Sequence, residues 1–277
     1  MSGRLSIVAT PIGCLDDITL RALRVLGECD LILAEDTRHT RTLCAKHGIA
    51  TPLRSFHAHS SQEKLAKVVS ELVGGASYAL VSDAGTPLIS DPGANLVRAA
   101  ADAGVEVEAI PGPSAVLAAL CVAGLPTRSF RFDGFIARKG KERTEALRRI
   151  RDSSTTSVLF ESPHRIHATL RDLEEVLGGE RELAVCRELT KMHEETLRGN
   201  AAEVRAMLAD APKGEITLVV EGHAKTLAPD ELDVPALVTA WREEGMSTKE
   251  MSQRLQQDHA WKRNDAYQAV LDALDES

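Results

Sequence analysis

The sequence predicts an α/β protein with two sheets, the first parallel and the second mixed, followed by a small helical C-terminal module. Three observations carry this expectation. In the first 125 residues, short β-branched runs alternate with helix-period patterns, which requires crossover connections and a mostly parallel sheet. From residue 126 on, several strand candidates sit too close together for crossover helices, which requires antiparallel neighbours. Beyond residue 233 the apolar residues recur only at helical spacing. The expected division is 1–125, 126–223 and 234–277.

Composition agrees with a folded α/β chain. Of 277 residues, 43% are hydrophobic and 27% charged, enough for a buried core and against wholesale disorder. Aromatics are only 3%, so Leu, Val, Ile and Ala must fill that core. The formal net charge of -8 is the wrong sign for a non-specific nucleic-acid binder, so any RNA contact must come from local basic patches. The five cysteines are odd in number and form no C-x-x-C pair, which argues against a disulfide framework and a Cys-rich zinc site. No metal is expected. The N-terminal apolar run is too short for a signal peptide, and no stretch approaches the roughly 18 uncharged residues of a membrane helix. A cytoplasmic protein without a membrane partner is the natural reading.

Taken in order, the first part offers strands at Leu5–Ala9, Leu31–Glu35, Leu53–His57, Tyr78–Ser82 and Glu106–Ile110. Helical stretches lie between them, at Leu20–Gly27, Gln62–Val73 and Asn95–Ala103. Leu125-Pro126 marks a boundary. The second part offers strands at Phe130–Ile136, Ser157–Glu161, Leu183–Leu189, Glu195–Arg198 and Glu215–Val220, with helices near Glu142–Arg151 and at Ile166–Leu177. Ala224–Asp233, acidic and with a proline, reads as a linker. Leu237, Val238 and Trp241, then Met251 and Leu255, then Tyr267, Val270, Leu271 and Leu274 fit three short helices broken near Gly245 and His259.

In an open parallel sheet, ligands bind beyond the carboxyl ends of the strands. Three Gly/Pro loops follow such ends. Thr10-Pro11-Ile12-Gly13 permits a close backbone approach, although a plain βα turn uses the same residues. Ser82 through Gly93 reads SDAGTPLISDPG, much longer than the ~2–6 residues a connection needs. Its length and two X-Pro steps indicate a shaped binding loop. Ile110 through Ala115 reads IPGPSA, with Ser114 as N-cap of the next helix; a helix N-terminus also suits an anionic group. None is a G-x-G-x-x-G dinucleotide fingerprint.

Two further clusters carry titratable groups. Ala34-Glu35-Asp36-Thr37-Arg38 follows the second strand, where Asp36 or Thr37 can simply cap a helix. His57-Ala58-His59 follows the third strand without a convincing third metal ligand. From Arg138 to Arg151 the chain holds seven basic and two acidic residues. That is either a solvated helix face or a phosphate-contacting surface.

Together with Glu161-Ser162-Pro163-His164-Arg165 and Arg187-Glu188-Leu189-Thr190-Lys191, these segments resemble the tetrapyrrole methylase superfamily, and within it the branch that methylates small-subunit ribosomal RNA. The resemblance runs over residues 5–222 with matching order and spacing. It implies S-adenosylmethionine as cofactor and methyl transfer to the ribose 2′-oxygen of a cytidine in small-subunit rRNA, naked or in the small ribosomal subunit. It also implies a homodimer and a helix-turn-helix-like tail. Carried over by motif, Gly85, Thr86, Pro87, Ile89, Ser114 and Ala115 contact the cofactor, joined by Phe160, Leu189 and Thr217 from the second domain. Pro11 and Gly13 line the floor. A weakly acidic ribose hydroxyl benefits from a general base, for which Asp83 and Asp36 are candidates and His57 a third. RNA contacts are expected at Arg138, Lys139, Lys141, Arg143, Arg148 and Arg149, and at Lys262 and Arg263 in the tail. The sequence departs from the branch at Cys14, at His57–Ser61 and at Ala137, which bears on substrate contact rather than on the cofactor loops. The alternatives are a small-molecule tetrapyrrole methyltransferase and a non-catalytic ribosome-assembly factor; neither accounts for basic patch, tail and three loops at once.

Overall fold

The computed structural model describes residues 3–223, 233–259 and 261–275. The chain groups into two compact units, Met1–Arg151 with Thr155–Glu221, and Asp152–Ser154 with Gly222–Ser277.

The first unit opens with β1 (Arg4–Val8), α1 (Leu20–Glu28), β2 (Leu31–Ala34), α2 (Thr37–Lys46), β3 (Leu53–Ser55), α3 (Gln62–Val73), β4 (Ser77–Val81), α4 (Ala94–Asp102), β5 (Glu106–Ile110) and α5 (Ala115–Ala123). The five strands form one parallel sheet in the order β3-β2-β4-β1-β5. Helix-covered parallel strands are buried on both faces, which is why β2 reads as an unbroken apolar run and every residue of it is buried. The order has a consequence for function. β4, β1 and β5 are neighbours, so the three Gly/Pro loops leave adjacent strand ends.

α5 is apolar all round, although one face of it is open, with Leu117 55% exposed. Its Val116, Ala119, Leu120 and Ala123 pack with Ile12 from the first loop and with Val158, Ala184, Cys186 and Val219 from the second sheet. That sheet comprises β6 (Phe130–Phe135), β7 (Thr156–Glu161), β8 (Glu182–Arg187), β9 (Glu195–Asn200) and β10 (Ile216–Val220), in the order β6-β7-β10-β8-β9. Only the β6–β7 pair is parallel, joined by α6 (Lys141–Asp152); the other pairs are antiparallel. The mixed sheet agrees with the short connections. α7 (Ile166–Leu177) and α8 (Ala201–Met207) cover its outer face, packing Ile166, Leu170, Leu173 and Val204 against Leu159, Val185 and Leu218.

β3 ends at Ser55 rather than His57 and β9 runs to Asn200 rather than Arg198, and two further elements differ from expectation. β8 ends at Arg187 rather than Leu189, because Glu188 (φ 52°) and Thr190 (φ 64°) take left-handed conformations that no strand continues through. α8 was not expected, although Asn200 and Glu203 form a reciprocal capping box.

In the second unit, α9 (Val234–Glu243), α10 (Thr248–His259) and α11 (Arg263–Asp275) share a core of Val238, Trp241, Met251, Leu255, Ala266 and Val270. The three helices and the break at Gly245 (φ 81°) match the apolar pattern. Residues 224–232 of the expected linker lie outside the described residues. No helix among the described residues is long and apolar enough to cross a membrane.

Candidate active site

The three loops are laced to one another. Thr10 and Gly85 exchange both backbone hydrogen bonds, at 2.9 and 3.0 Å. The Ala9 amide donates to the Ile110 carbonyl at 3.2 Å, and the Thr86 hydroxyl donates to the Pro113 carbonyl at 3.0 Å. Ser114 caps α5 by accepting from the Leu117 amide. Gly85 sits at φ 76°, in the region that favours glycine. Leu88 (φ 75°) and Ser90 (φ 66°) occupy it without that excuse, at a cost of roughly 1–2 kcal/mol each. Such strain persists where the surroundings over-determine the backbone, and it clusters at binding sites.

Against these loops lies a cleft of about 370 Å³, within the roughly 300–1,000 Å³ of small-molecule sites. Of the expected cofactor residues, Gly85, Thr86, Ile89, Ser114, Ala115, Phe160 and Thr217 line it. A second cavity of about 300 Å³ adjoins it and shares Ile12, Asp83, Ala84 and Glu215. Pro11 and Gly13 line this second cavity. Pro87 is buried, and Leu189 is 7% exposed within the core cluster around α5; neither is among the lining residues. Sequence reasoning missed Asp91, Phe135, Glu161 and Glu215 in the larger cleft. Asp91 lies in the long loop and Glu161 opens the Glu161–Arg165 motif, signals that could have found both; Glu215 stood only at the end of a strand candidate.

The candidate bases separate clearly. Asp83 faces both cavities, and its Oδ1 accepts from the Asp36 amide at 2.9 Å. Asp36 is the N-cap of α2 and accepts from the Arg38 amide at 2.8 Å. The Arg38 guanidinium at 2.5 Å helps pull its carboxyl down to about 2, so it holds a proton too weakly for base catalysis near neutrality. His57 is exposed, engages the His59 amide through Nδ1, and lines neither cavity.

Other carboxylates surround the loops. Burial, then Asp83 and Asp91, push Glu35 above the usual carboxylate range. Burial raises Asp91 in the same way, with Asp83 adding to it and a Ser82 hydrogen bond opposing it. Glu161, with a fully buried side chain, accepts from the Thr169 hydroxyl at 2.6 Å and its neighbour Ser162's amide at 2.7 Å. In the second cavity, burial disfavours the charge on Lys191. Glu188 at 2.8 Å and Glu215 at 2.9 Å outweigh it and hold the ammonium above its ordinary value.

The expected RNA contacts divide. Arg138, Lys139, Lys141, Arg148 and Arg149 are exposed, as are Lys262 and Arg263 at the start of α11. Arg143 is not on that surface: it is 9% exposed and hydrogen-bonded to Asp172, Thr169 and the Ala137 carbonyl.

A parallel sheet whose adjacent strand ends converge on a cleft, with a mixed sheet following in the chain, is also the architecture of solved methyltransferases. A cobalt precorrin-4 methyltransferase superposes with a TM-score of 0.61 at 20% identity, over 79% of this chain and 94% of that one. A diphthine synthase does so with a TM-score of 0.63 at 15% identity, over 79% and 90%. Residues 4–205 match the model of the tetrapyrrole (corrin/porphyrin) methylases, and the chain belongs to that family. Among its curated relatives is a ribosomal RNA small subunit methyltransferase I from Vibrio cholerae, 44% identical over 98% of this chain and 96% of its own. The protein of that name from Pasteurella multocida is 41% identical over 98% of both chains. The one from Thermotoga maritima is 47% identical and is covered over 99% of its length by 79% of this chain.

Proposed function

We propose that this chain is an S-adenosylmethionine-dependent methyltransferase that acts on the ribose 2′-hydroxyl of a cytidine in small-subunit ribosomal RNA. The relatives' name supports rRNA as the substrate. The observation that carries the geometry is the pair of adjoining cavities with Asp83 in their common wall. The larger cleft fits the donor. Ala84 and Gly85 bring backbone close, Ile12, Val116, Phe160 and Ile216 supply apolar wall, and Asp83 and Asp91 suit a cation, whereas Glu161 and Glu215 are already paired with Arg165 and Lys191. When bound, the donor supplies an electrophilic methyl on a positively charged sulfur.

The chain's own residues do the rest. The laced loops fix the cleft, so alignment of the acceptor oxygen with the methyl carbon requires little reorganisation. The smaller cavity receives the acceptor nucleoside. The Asp83 carboxylate would take the proton of the acceptor 2′-hydroxyl as that oxygen receives the methyl group. The Asp36 amide orients that carboxylate, which makes Asp36 a positioning residue. Arg138, Lys139, Lys141, Arg148 and Arg149 hold phosphates outside the cleft, and Lys262 and Arg263 add to them from the tail. Residues 1–125 and 126–223 then form the donor cleft together, 1–125 supplies most of the acceptor cavity, and 234–277 serves as the RNA-binding module of a cytoplasmic homodimer.

The decisive experiment offers labelled donor with small ribosomal subunits, with naked small-subunit rRNA and with free tetrapyrroles. Label in the ribose of a cytidine is the expected result. Label in a tetrapyrrole alone would replace this reading with a small-molecule activity.

A further inference from the structure

A separate cavity of about 410 Å³ opens where the loop before α6 meets the start of α7, lined by Arg138, Arg143, His164, Arg165 and Asp172 among others. Ser162 lines it and also lines the donor cleft, so the two spaces are neighbours at the Glu161–Pro163 segment. The proposed function uses Arg138 as one of several exposed phosphate contacts but gives the cavity itself no role.

Its cations are not equivalent. Arg143 and Arg165 are framework. Arg165 donates to the Ile136 carbonyl at 2.8 Å and meets Glu161 at 3.3 Å, while Arg143 donates to the Ala137 carbonyl at 3.1 Å and pairs with Asp172 at 2.6 Å. The two backbone carbonyls immediately before Arg138 are therefore each held by a guanidinium. Arg138 and His164 are exposed and have no hydrogen-bond or ion-pair partner among the described residues. Lys139 follows on the same loop and Lys141 opens α6. A flexible arginine gives up side-chain and loop entropy when it binds an anion; here the loop part is already fixed.

The framework also connects the two spaces. Arg143 donates to the Thr169 hydroxyl at 3.1 Å, which donates to Glu161 at 2.6 Å, and Glu161 lines the donor cleft. A group seated on Arg138 is thereby registered against the donor site through a buried hydrogen-bond chain.

We infer that this cavity seats a phosphodiester of the acceptor RNA, with Arg138 and His164 as its binding groups and Arg143 and Arg165 as positioning residues. The inference rests on the proposed activity toward RNA. It specifies how the strand is registered so that a ribose, not a phosphate, faces the donor.

The test is the double variant Arg138→Ala, His164→Ala, in which both altered side chains are exposed. Binding of small-subunit rRNA is measured across a salt series without donor and without turnover. Affinity should fall roughly tenfold and the slope of log K against log salt should drop by roughly 0.7–0.9, one phosphate's worth. Calorimetric affinity for the donor should not change. Arg24→Ala, removing an exposed cation on α1, should leave the slope intact. An unchanged rRNA affinity and slope in the double variant would overturn the assignment. So would a saturable inorganic-phosphate site that the double variant abolishes while rRNA binding is untouched, since that is a site for the free anion. If the wild-type protein binds rRNA with the expected variant response yet never methylates it, the parent reading fails and the phosphate seat stands.

Discussion

Gly85 offers the sharpest test of how the loops make the cleft. Its φ of 76° is left-handed, and both of its backbone hydrogen bonds to Thr10 fix that value. An alanine there bears the left-handed cost of roughly 1–2 kcal/mol. Its Cβ would also lie 3.3 Å from Ile12 Cγ2, a contact the isoleucine must yield to, with the Pro113 carbonyl at 4.0 Å. At about 2–4 °C per kcal/mol for a domain of this size, Gly85→Ala should lower Tm by about 2–8 °C. Gly48 supplies a matched control. It sits at φ 67° with nothing within 4 Å of an added Cβ, so Gly48→Ala measures the backbone cost alone. The excess destabilisation of Gly85→Ala over Gly48→Ala reports the Ile12 contact. Gly85→Phe projects a ring from the cleft wall and should abolish donor binding in calorimetry while the protein still melts cooperatively. Donor binding by Gly85→Phe at wild-type affinity would refute the loop assignment outright.

Asp83→Asn keeps an oxygen to accept from the Asp36 amide but removes the base, so kcat should fall by roughly 10²–10⁴, far more than donor affinity falls from the lost wall charge; a larger loss in Asp36→Asn than in Asp83→Asn would reverse their roles. Glu35→Gln should raise Tm at pH 7 and lose that advantage near pH 4. A carboxyl whose folded pKa lies above its ordinary value of 4.5 withdraws stability as pH rises through that value, and thermal melts at the two pH values check the sign. Deleting Val234–Ser277 should leave a folded, donor-binding core that methylates its RNA poorly. The tail helices have their own core, and a relative under the same name is covered almost whole by 79% of this chain. Full activity of the truncated protein would remove the tail from RNA binding, and loss of folding or donor binding would make it structural.

The sequence exposed the parts of this site that are local in the chain. β-branched runs and their spacing revealed the sheet strands, and the density of Gly, Pro, Asp and Ser marked the loops that line the cleft. What it could not expose are partners distant in sequence. That Asp83 meets Asp36 across 47 residues depends on β2 and β4 being neighbours, and that order is set by topology rather than by either loop. Arg143 is the plainest case. Its neighbours Lys139, Lys141 and Arg148 are exposed, and in the sequence it is one of seven basic residues; only the packing of α7 beside α6 reveals that Asp172 and Thr169 take it inward. The left-handed turns at Glu188 and Thr190 were equally hidden, because neither residue type advertises that conformation.

A net charge of -8 and an RNA substrate conflict only if the charge is imagined as uniform. At physiological salt, screening over about 8 Å means that a strand meets local charge. The carboxylates Asp83, Asp91, Glu161 and Glu215 line the larger cleft, while Arg138, Lys139, Lys141, Arg148 and Arg149 are exposed on and before α6. On the proposed reading this polarity does two jobs. In the acidic wall Asp83 and Asp91, which unlike Glu161 and Glu215 pair with no arginine or lysine among the described residues, favour the positively charged donor over the product that has lost that charge, which aids turnover. The same wall repels phosphate oxygens, the commonest nucleophilic-looking atoms on RNA. With the phosphates drawn to Arg138 and excluded from the cleft, a neutral ribose hydroxyl is the oxygen that can approach the methyl. A uniformly basic protein would bind RNA more tightly but would bring phosphates to the donor as readily as sugars. On that reading the charge pattern selects the atom that is methylated as well as the polymer that is bound.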